Sequence, residues 1–317
     1  MPRTPESKES HGTSEYVSRR RMALAIGAIA WGLCCPRMGN ATELPTINWM
    51  VQDIAPIWML DNGRPTTGTM DAIIQMLMDE WPDAKHEFTV VSTPRALSNL
   101  SNGVESCLAG SVNTPERAKF SYHSPAFLVA PPQLIARPQI IAKLAKNSNG
   151  EILPATLFDR ADMKGLIEQK RSYGPVLDAL LSRRSPNSGI HEVLRADAGS
   201  NLLKMVALGR GDYFLEYDTI FAYQLNRNPE LRSAGFITAP VAGNAMVKFG
   251  FSCPKTEWGR RTIKRIDALM IKFAALPEFQ AIQWKWQTPS AAIRYRKIQE
   301  EFFRQRSKLS DPSQFDD

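Results

Sequence analysis

The chain has 317 residues, 43% of them hydrophobic, which is enough for one large or two medium-sized domains. The formal net charge is +7, but residues 1–41 hold six Lys/Arg and three Asp/Glu, so 33 basic and 29 acidic residues remain beyond them. Because this balance is mild and no basic run is interleaved with aromatic residues, the composition does not favour a nucleic-acid partner.

An apolar segment near the N-terminus predicts export. Three arginines precede residues 22–32, MALAIGAIAWG, an uncharged run that is shorter than a membrane span requires. Gly39 and Ala41 are small residues at the positions that a signal peptidase requires for cleavage after Ala41. Residues 1–41 are therefore interpreted as a polar extension followed by a signal peptide. The Arg19-Arg20 pair leaves twin-arginine export open beside the Sec route, and an anchor that stays attached is the alternative to cleavage. We therefore expect a periplasmic protein.

The first half of the mature chain alternates strands with helices. The predicted elements, in chain order, are a strand at 46–51, a helix at 69–81, a strand at 87–91, a helix at 93–100 and a strand at 104–109. The helix at 69–81 has its apolar residues at helical spacing. This βαβαβ order predicts an α/β domain with a parallel sheet.

The same rhythm returns after an apolar, proline-interrupted segment at 127–135, which we interpret as a crossing segment. The later predicted elements are strands within 161–168 and at 190–194, 212–216 and 245–252, and helices at 175–184, 200–208, 219–225, 258–275 and 277–286. A last helix is predicted to begin at Thr288-Pro289, where a threonine cap precedes proline. Two similar α/β lobes imply a cleft between them, and small-molecule sites favour such clefts.

The stretch 102–127 contains the candidate anion site. Thr114 followed by Pro115 is typical of an N-cap with proline at the first helical position, which places Arg117 in the first turn of a short helix. A cation is poorly placed there for the helix dipole, whereas a fixed arginine beside free backbone N–H groups makes an anion pocket. The alternative interpretation is a surface arginine on a loop.

The order and spacing of these motifs resemble the extracellular solute-binding proteins of family 3, the periplasmic binding proteins that serve polar amino-acid ABC transporters. Within 97–127 the chain has the family's helix, strand, T-x-x-R element and F-S-x-P strand, the last of them as YHSPAF here. The other matching segments are 48–77 for the opening strand, cleft loop and helix, 205–218 for the second-lobe helix and strand, and 249–255 for the return to lobe one.

This resemblance implies an α/β fold of the two-lobe periplasmic binding protein type II, with a mainly parallel sheet and flanking helices in each lobe and two hinge strands between them. Lobe one would comprise 42–128 plus 244–317, and lobe two 129–243. The family binds a solute without catalysis and without a cofactor. A monomer that delivers its solute to the membrane permease of an ABC transporter is therefore expected.

The resemblance also implies a ligand set. Arg117 matches the arginine that holds the ligand α-carboxylate, with Thr114 adding hydrogen bonds. Tyr217 stands where the family has the acidic residue for the α-amino group, and this is a departure. Either Glu216 takes that role or the ligand lacks a standard α-amino group.

Two pairs of residues complete the predictions. Trp49 and Tyr173 are candidates for stacking on a ligand, with core or rim packing as the alternative. The mature chain has two cysteines, Cys107 and Cys253, and a pair in an exported protein suggests a disulfide. The family topology places both on neighbouring strands of lobe one, and two buried free thiols are the alternative.

Other chemistry finds little support in the sequence. None of the four histidines is spaced with Cys, Asp or Glu as metal ligands are, and no P-loop, G-x-G-x-x-G or G-x-S-x-G motif occurs. We therefore expect no metal site and no enzyme. Two rivals on the same fold stay open: a dehydratase or peptidoglycan lyase, which would need a perturbed carboxylate in the cleft, and a sensory or partner-binding protein.

Overall fold

The computed structural model describes residues 45–169, 171–193, 200–308 and 312–316, and the predicted leader 1–41 lies outside them. The strands are β1 (Thr46–Val51), β2 (Leu60–Asp61), β3 (Arg64–Pro65), β4 (Lys85–Val90), β5 (Cys107–Val112), β6 (Ser121–Val129), β7 (Gln133–Ala136), β8 (Gly165–Glu168), β9 (Ile190–Val193), β10 (Tyr213–Glu216), β11 (Ile237–Ala239) and β12 (Val247–Pro254). The α-helices are α1 (Thr69–Asp79), α2 (Thr93–Ser101), α3 (Pro138–Ile141), α4 (Pro154–Phe158), α5 (Pro175–Ser182), α6 (Ser200–Ala207), α7 (Asp218–Arg227), α8 (Pro229–Arg232), α9 (Glu257–Ala274), α10 (Pro277–Trp284) and α11 (Pro289–Arg306).

Two five-stranded sheets organise these elements. The first has the order β4-β1-β5-β12-β6, with β1 parallel to β4 and β5, and with β12 antiparallel to β5 and β6. The second has the order β11-β7-β10-β8-β9, with β8 parallel to β9 and β10, and with β7 antiparallel to β10 and β11. We call the first sheet with its helices lobe one, and the second sheet with its helices lobe two. The chain crosses from lobe one to lobe two between β6 and β7, and it returns between β11 and β12.

Helix α1 shows how the apolar pattern of the sequence becomes packing. Its buried residues Met70, Ile73, Ile74 and Leu77 recur at helical spacing and join the core of lobe one. Strand β1 is buried on both faces over most of its length, as expected for a central strand covered by helices on either side. Lobe two has separate apolar clusters on the two faces of its own sheet.

The predicted disulfide is confirmed. Cys107 begins β5 and Cys253 lies near the end of β12, and these two strands are neighbours in the sheet of lobe one. The two residues are bonded through sulfur, with Cα atoms 4.3 Å apart. The bridge therefore links the strand that leads towards Arg117 to the strand that returns from lobe two.

The C-terminal helix and its cap contact both lobes. The Thr288 hydroxyl accepts a hydrogen bond from the Ala291 N–H at 3.2 Å, which is the predicted cap of α11. The backbone N–H of Thr288 also donates to the carboxylate of Asp218, at the start of α7 in lobe two, at 3.0 Å. From α11 the Gln299 amide donates at 3.2 Å to the carbonyl of Leu128, close to the end of β6. The tail beyond 289, to which the sequence assigned no role, thus packs across the junction of the lobes.

None of the helices in the described part of the chain is long and apolar enough to cross a membrane.

Candidate functional site

The local fold around Arg117 follows the predicted capping pattern but is shorter than a full helix. The Thr114 hydroxyl accepts the Arg117 N–H at 3.3 Å, and the Thr114 carbonyl accepts the Ala118 N–H at 2.9 Å. A 3₁₀ turn over Arg117–Lys119 then leads into β6. One arm of the Arg117 guanidinium donates to the Val112 carbonyl at 3.0 Å, which fixes the side chain at the end of β5. Within the described ranges no carboxylate forms an ion pair with Arg117, so its charge is available to a solute.

A cavity of about 420 Å³ lies in front of this turn, between the two lobes. Lobe one contributes α2 and the turn that carries Arg117, and lobe two contributes the loop before α5 and the helix itself. Its lining residues are Leu97, Ser98, Ser101, Thr114, Glu116, Arg117, Phe120, Ser172 and Asp178. The structure therefore brings two of the sequence-predicted residues, Thr114 and Arg117, into one cavity wall.

The cavity places a cation on one lobe and a carboxylate on the other. Asp178 accepts hydrogen bonds from the Ser172 hydroxyl at 2.5 Å and from the Tyr173 N–H at 2.7 Å, which hold the carboxylate on its side of the cleft. Burial lowers the pKa of Arg117, while the nearby Tyr217 and the Asp178 carboxylate act in the opposite direction. Because arginine stays protonated in proteins, the cleft presents opposite charges from its two sides.

Glu216 is not available to a ligand, contrary to its predicted role. It is 1% exposed, and both of its carboxylate oxygens accept hydrogen bonds from the guanidinium of Arg171. One of these oxygens also accepts the Tyr217 N–H at 2.6 Å. Glu216 was suggested because it precedes Tyr217 at the end of a predicted strand, whereas its partner Arg171 lies in the loop after β8.

Tyr217 stays near the candidate site without lining the cavity. Its ring lies under the guanidinium of Arg171, 5.4 Å from the guanidinium carbon, and Tyr217 and Arg117 also interact electrostatically. Burial raises the pKa of the Tyr217 phenol, so the group is a neutral donor at physiological pH. Tyr217 therefore lies close to both Arg171 and Arg117.

Trp49 and Tyr173 belong to the core, which is the alternative that the sequence left open for both. Trp49 is 0% exposed, donates to His86 Nδ1 at 3.0 Å and packs edge-on against Phe251. Tyr173 is also 0% exposed, and its hydroxyl accepts the Glu168 N–H at 2.7 Å. Both rings are buried, and neither lines the cavity. Neither ring is therefore a stacking surface for a solute in this structure.

Sequence reasoning missed seven of the nine cavity residues, and the two that lobe two contributes come from the loop and helix after β8. Ser172 precedes the glycine that begins α5, and Asp178 lies in the first turns of that helix. A serine and an aspartate near a helix start are ordinary capping chemistry, so their types alone carry no functional signal. No local pattern therefore pointed to either residue, and only the tertiary fold brings the start of α5 to the cavity.

His123 and Ser124, near the start of β6, do not form a nucleophile–base pair with each other. His123 Nδ1 is 3.0 Å from the Ser252 hydroxyl, whereas the neighbouring Ser124 hydroxyl donates to Asp267 at 2.8 Å. The two side chains thus point to opposite faces of the sheet, as expected for adjacent strand residues. In the described residues, no group of three or more His, Cys, Asp or Glu is arranged to hold a metal ion.

Comparison with known proteins places the fold. No family model matches the sequence, and no curated protein matches it significantly. Among solved structures, a histidine kinase sensor domain with similarity to periplasmic binding proteins aligns with a TM-score of 0.58 and 16% identity, covering 76% of this chain and 95% of that domain. An ancestral amino acid-binding protein, described as a precursor of cyclohexadienyl dehydratase, aligns with a TM-score of 0.57 and 15% identity, over 77% of this chain and 96% of that protein.

The periplasmic VFT2 domain of BvgS from Bordetella pertussis is similar as well, with a TM-score of 0.55 and 18% identity over 77% of this chain and 94% of that domain. At such identities a structural likeness establishes the fold alone. The chain therefore has the two-lobe periplasmic binding protein fold, and the resemblance found in the sequence is confirmed at that level.

Proposed function

We propose that this chain is an exported binding protein that clamps a small, carboxylate-bearing, amino-acid-like solute between its lobes. The observation that supports this most strongly is the cavity of about 420 Å³ with Arg117 on one wall and Asp178 on the other. We assign 42–128 plus 244–317 to lobe one and 129–243 to lobe two. The two crossings between β6 and β7 and between β11 and β12 act as the hinge.

Arg117 is the proposed anchor for the solute carboxylate. One of its arms is held by the Val112 carbonyl, which pre-orients the guanidinium for a bidentate pair with an incoming anion. Ser172 and Asp178 approach from the other lobe, so a positive group on the solute meets Asp178 when the cleft closes. Closure removes water and strengthens both charge pairs, which links binding to the closed form.

The proposed setting is the periplasm, after removal of residues 1–41 by the Sec or twin-arginine route. A monomer would deliver the solute to the permease of an ABC transporter. A sensory role is the second candidate, because one of the similar structures is a histidine kinase sensor domain. Permease and ATPase genes beside this gene favour transport, whereas a membrane receptor gene favours sensing.

A thermal-shift screen tests the proposal. The mature protein is heated with amino acids, organic acids and small peptides, and a carboxylate-bearing solute is expected to raise the melting temperature, since a ligand stabilises the state that it binds. The Arg117→Ala variant is expected to lose this shift. Lys119→Ala removes an exposed cation from the same turn and serves as the matched control, with the shift retained. An unchanged shift in Arg117→Ala would remove the proposed anchor.

A further inference from the structure

In lobe two, the guanidinium of Arg171 is enclosed by carboxylate and aromatic side chains of the same chain. Arg171 donates from Nη1 to Glu216 at 2.8 Å and from Nη2 to the other oxygen of the same carboxylate, a bidentate pair. Nη1 also donates to Glu168 at 3.1 Å. The exposed fractions of the three side chains are 15% for Arg171, 4% for Glu168 and 1% for Glu216. One guanidinium therefore lies between two buried carboxylates.

Two aromatic rings complete the enclosure. The guanidinium carbon of Arg171 is 5.4 Å from the ring centroids of both Tyr173 and Tyr217, a distance at which cation–π attraction operates. The Tyr173 hydroxyl is fixed by the Glu168 N–H at 2.7 Å. Burial acts to lower the pKa of Arg171, but Glu216 outweighs it and raises that pKa well above the usual value. We name the set of Glu168, Glu216, Tyr173 and Tyr217 the cation cage.

The cage occupies a position at which a solute would be expected. Glu168 is the last residue of β8 and Glu216 is the last residue of β10, and these strands are parallel neighbours. Ligands of open α/β sheets bind outside the carboxyl ends of such strands. Ser172, the residue after Arg171, already lines the cavity between the lobes. Two carboxylates and two aromatic faces are the groups that recognise a guanidinium or an ammonium.

We propose that Arg171 is a built-in occupant of the cation cage and a specificity-determining residue of the cleft. Its guanidinium fills the place that a guanidinium or primary ammonium group of a solute would take beside Glu216. Solutes that must place a guanidinium or ammonium group beside Glu216 are therefore excluded from the cleft. Asp178 remains as the carboxylate that pairs with a smaller positive group of the solute. The specificity part of this inference rests on the proposed function, whereas the occupancy of the cage does not.

Chemical rescue tests the occupancy. Arg171→Ala empties the cage and removes the cation that pairs with the buried Glu216 carboxylate, so its melting temperature is expected to fall well below that of wild type. Methylguanidinium chloride is then titrated against sodium chloride of equal ionic strength. For a Kd of about 1 mM, roughly 30 mM methylguanidinium raises the folded-to-unfolded ratio about 30-fold, which is about 2 kcal/mol or a rise of roughly 4–8 °C.

The controls separate rescue from general salt effects. Wild type has a filled cage, and Arg183→Ala removes an exposed arginine from the same lobe, so neither is expected to gain stability from methylguanidinium over sodium chloride. If Arg171→Ala does not fold, the titration is made on Arg171→Ala with Glu216→Gln, which keeps Glu168 and both rings around an empty cage. The absence of a specific shift in the variant that folds overturns the proposal.

Specificity is tested with L-arginine and L-citrulline, which differ in the charge of the side-chain head group. Arg171→Ala is expected to bind L-arginine at least about tenfold more tightly than wild type does, with citrulline unchanged, because the vacated carboxylates reward a charged head. Equal arginine affinity in both proteins overturns the specificity assignment. The rescue probe has no carboxylate and does not use Arg117, so failure of the cage and failure of the anion anchor give different results.

Discussion

Arg306→Ala removes the cation of a buried ion pair that attaches the C-terminal helix to lobe one. The Arg306 guanidinium donates to Asp267 at 2.5 Å, to the Ser124 hydroxyl at 3.0 Å and to the Pro125 carbonyl at 2.8 Å. The side chains of Arg306 and Asp267 are only 7% and 6% exposed. After the substitution the Asp267 carboxylate keeps Ser124 and Gln314 as donors but, among the residues that the structure describes, no cation.

Loss of one partner from a buried pair costs about 3–5 kcal/mol, because the remaining charge stays buried without compensation. For a protein of this size that cost corresponds to a fall in melting temperature of roughly 6–20 °C. Scanning calorimetry of the mature protein, with the disulfide intact, measures the fall. Arg304→Ala is the control on the same helix, since Arg304 is 67% exposed in its pair with Glu301 and is expected to contribute at most about 1 kcal/mol.

A fall in Arg306→Ala no larger than that of Arg304→Ala would refute this reasoning. The double variant Arg306→Ala with Asp267→Asn gives a second check. Neutralising the carboxylate removes the uncompensated charge, so the double variant is expected to be more stable than Arg306→Ala alone.

Two further predictions concern the core of lobe one. Burial and nearby cations lower the pKa of His123 to about 3, below the value near 6.5 of the unfolded chain, so the folded state holds neutral imidazole and its stability declines as the pH falls below about 6.5. Between pH 7 and 4.5 this costs about 2.5 kcal/mol, and in urea melts His123→Gln is expected to flatten that part of the pH profile. His191→Gln, at an exposed position, is the surface control, and a His123→Gln profile identical to that of wild type would contradict the assignment. Peptide mapping after alkylation of the native protein is expected to leave Cys107 and Cys253 unmodified until reductant is added, and replacing both with serine is expected to cost about 2–5 kcal/mol in the same melts; labelling without reductant would exclude the bridge.

The repeated alternation of strands and helices predicted the α/β class, and the family resemblance predicted the two-lobe fold. Apolar spacing in 69–81 predicted α1, and the strand at 46–51 has the predicted bounds of β1, since both elements are fixed by burial of their apolar residues. The strand predicted at 104–109 instead runs over Cys107–Val112. The preceding turn extends further than its Asn102-Gly103 signal suggested, because strand ends are set by pairing with neighbours and not by local composition.

The candidate site was predictable only where a local pattern determined the geometry. Thr114-Pro115 fixes a turn, and the turn aims Arg117, so both residues were found. Glu216 was misjudged because its partner Arg171 lies 45 residues away in the chain, and a long-range ion pair leaves no periodic trace in the sequence. Whether an aromatic residue such as Trp49 stacks on a ligand or packs in the core depends on which face of its strand is buried. Tertiary packing decides this, so the local sequence does not.

The most direct test of the central claim is the affinity of the best solute from the screen, measured by titration calorimetry for wild type, Arg117→Lys and Arg117→Ala. Loss of one partner from a desolvated charge pair weakens binding by about 100-fold or more, so Arg117→Ala is expected to show that loss. Arg117→Lys keeps the charge but not the bidentate geometry, and an intermediate affinity is expected. If all three proteins bind the solute equally well, Arg117 does not hold its carboxylate and the proposed clamp is wrong.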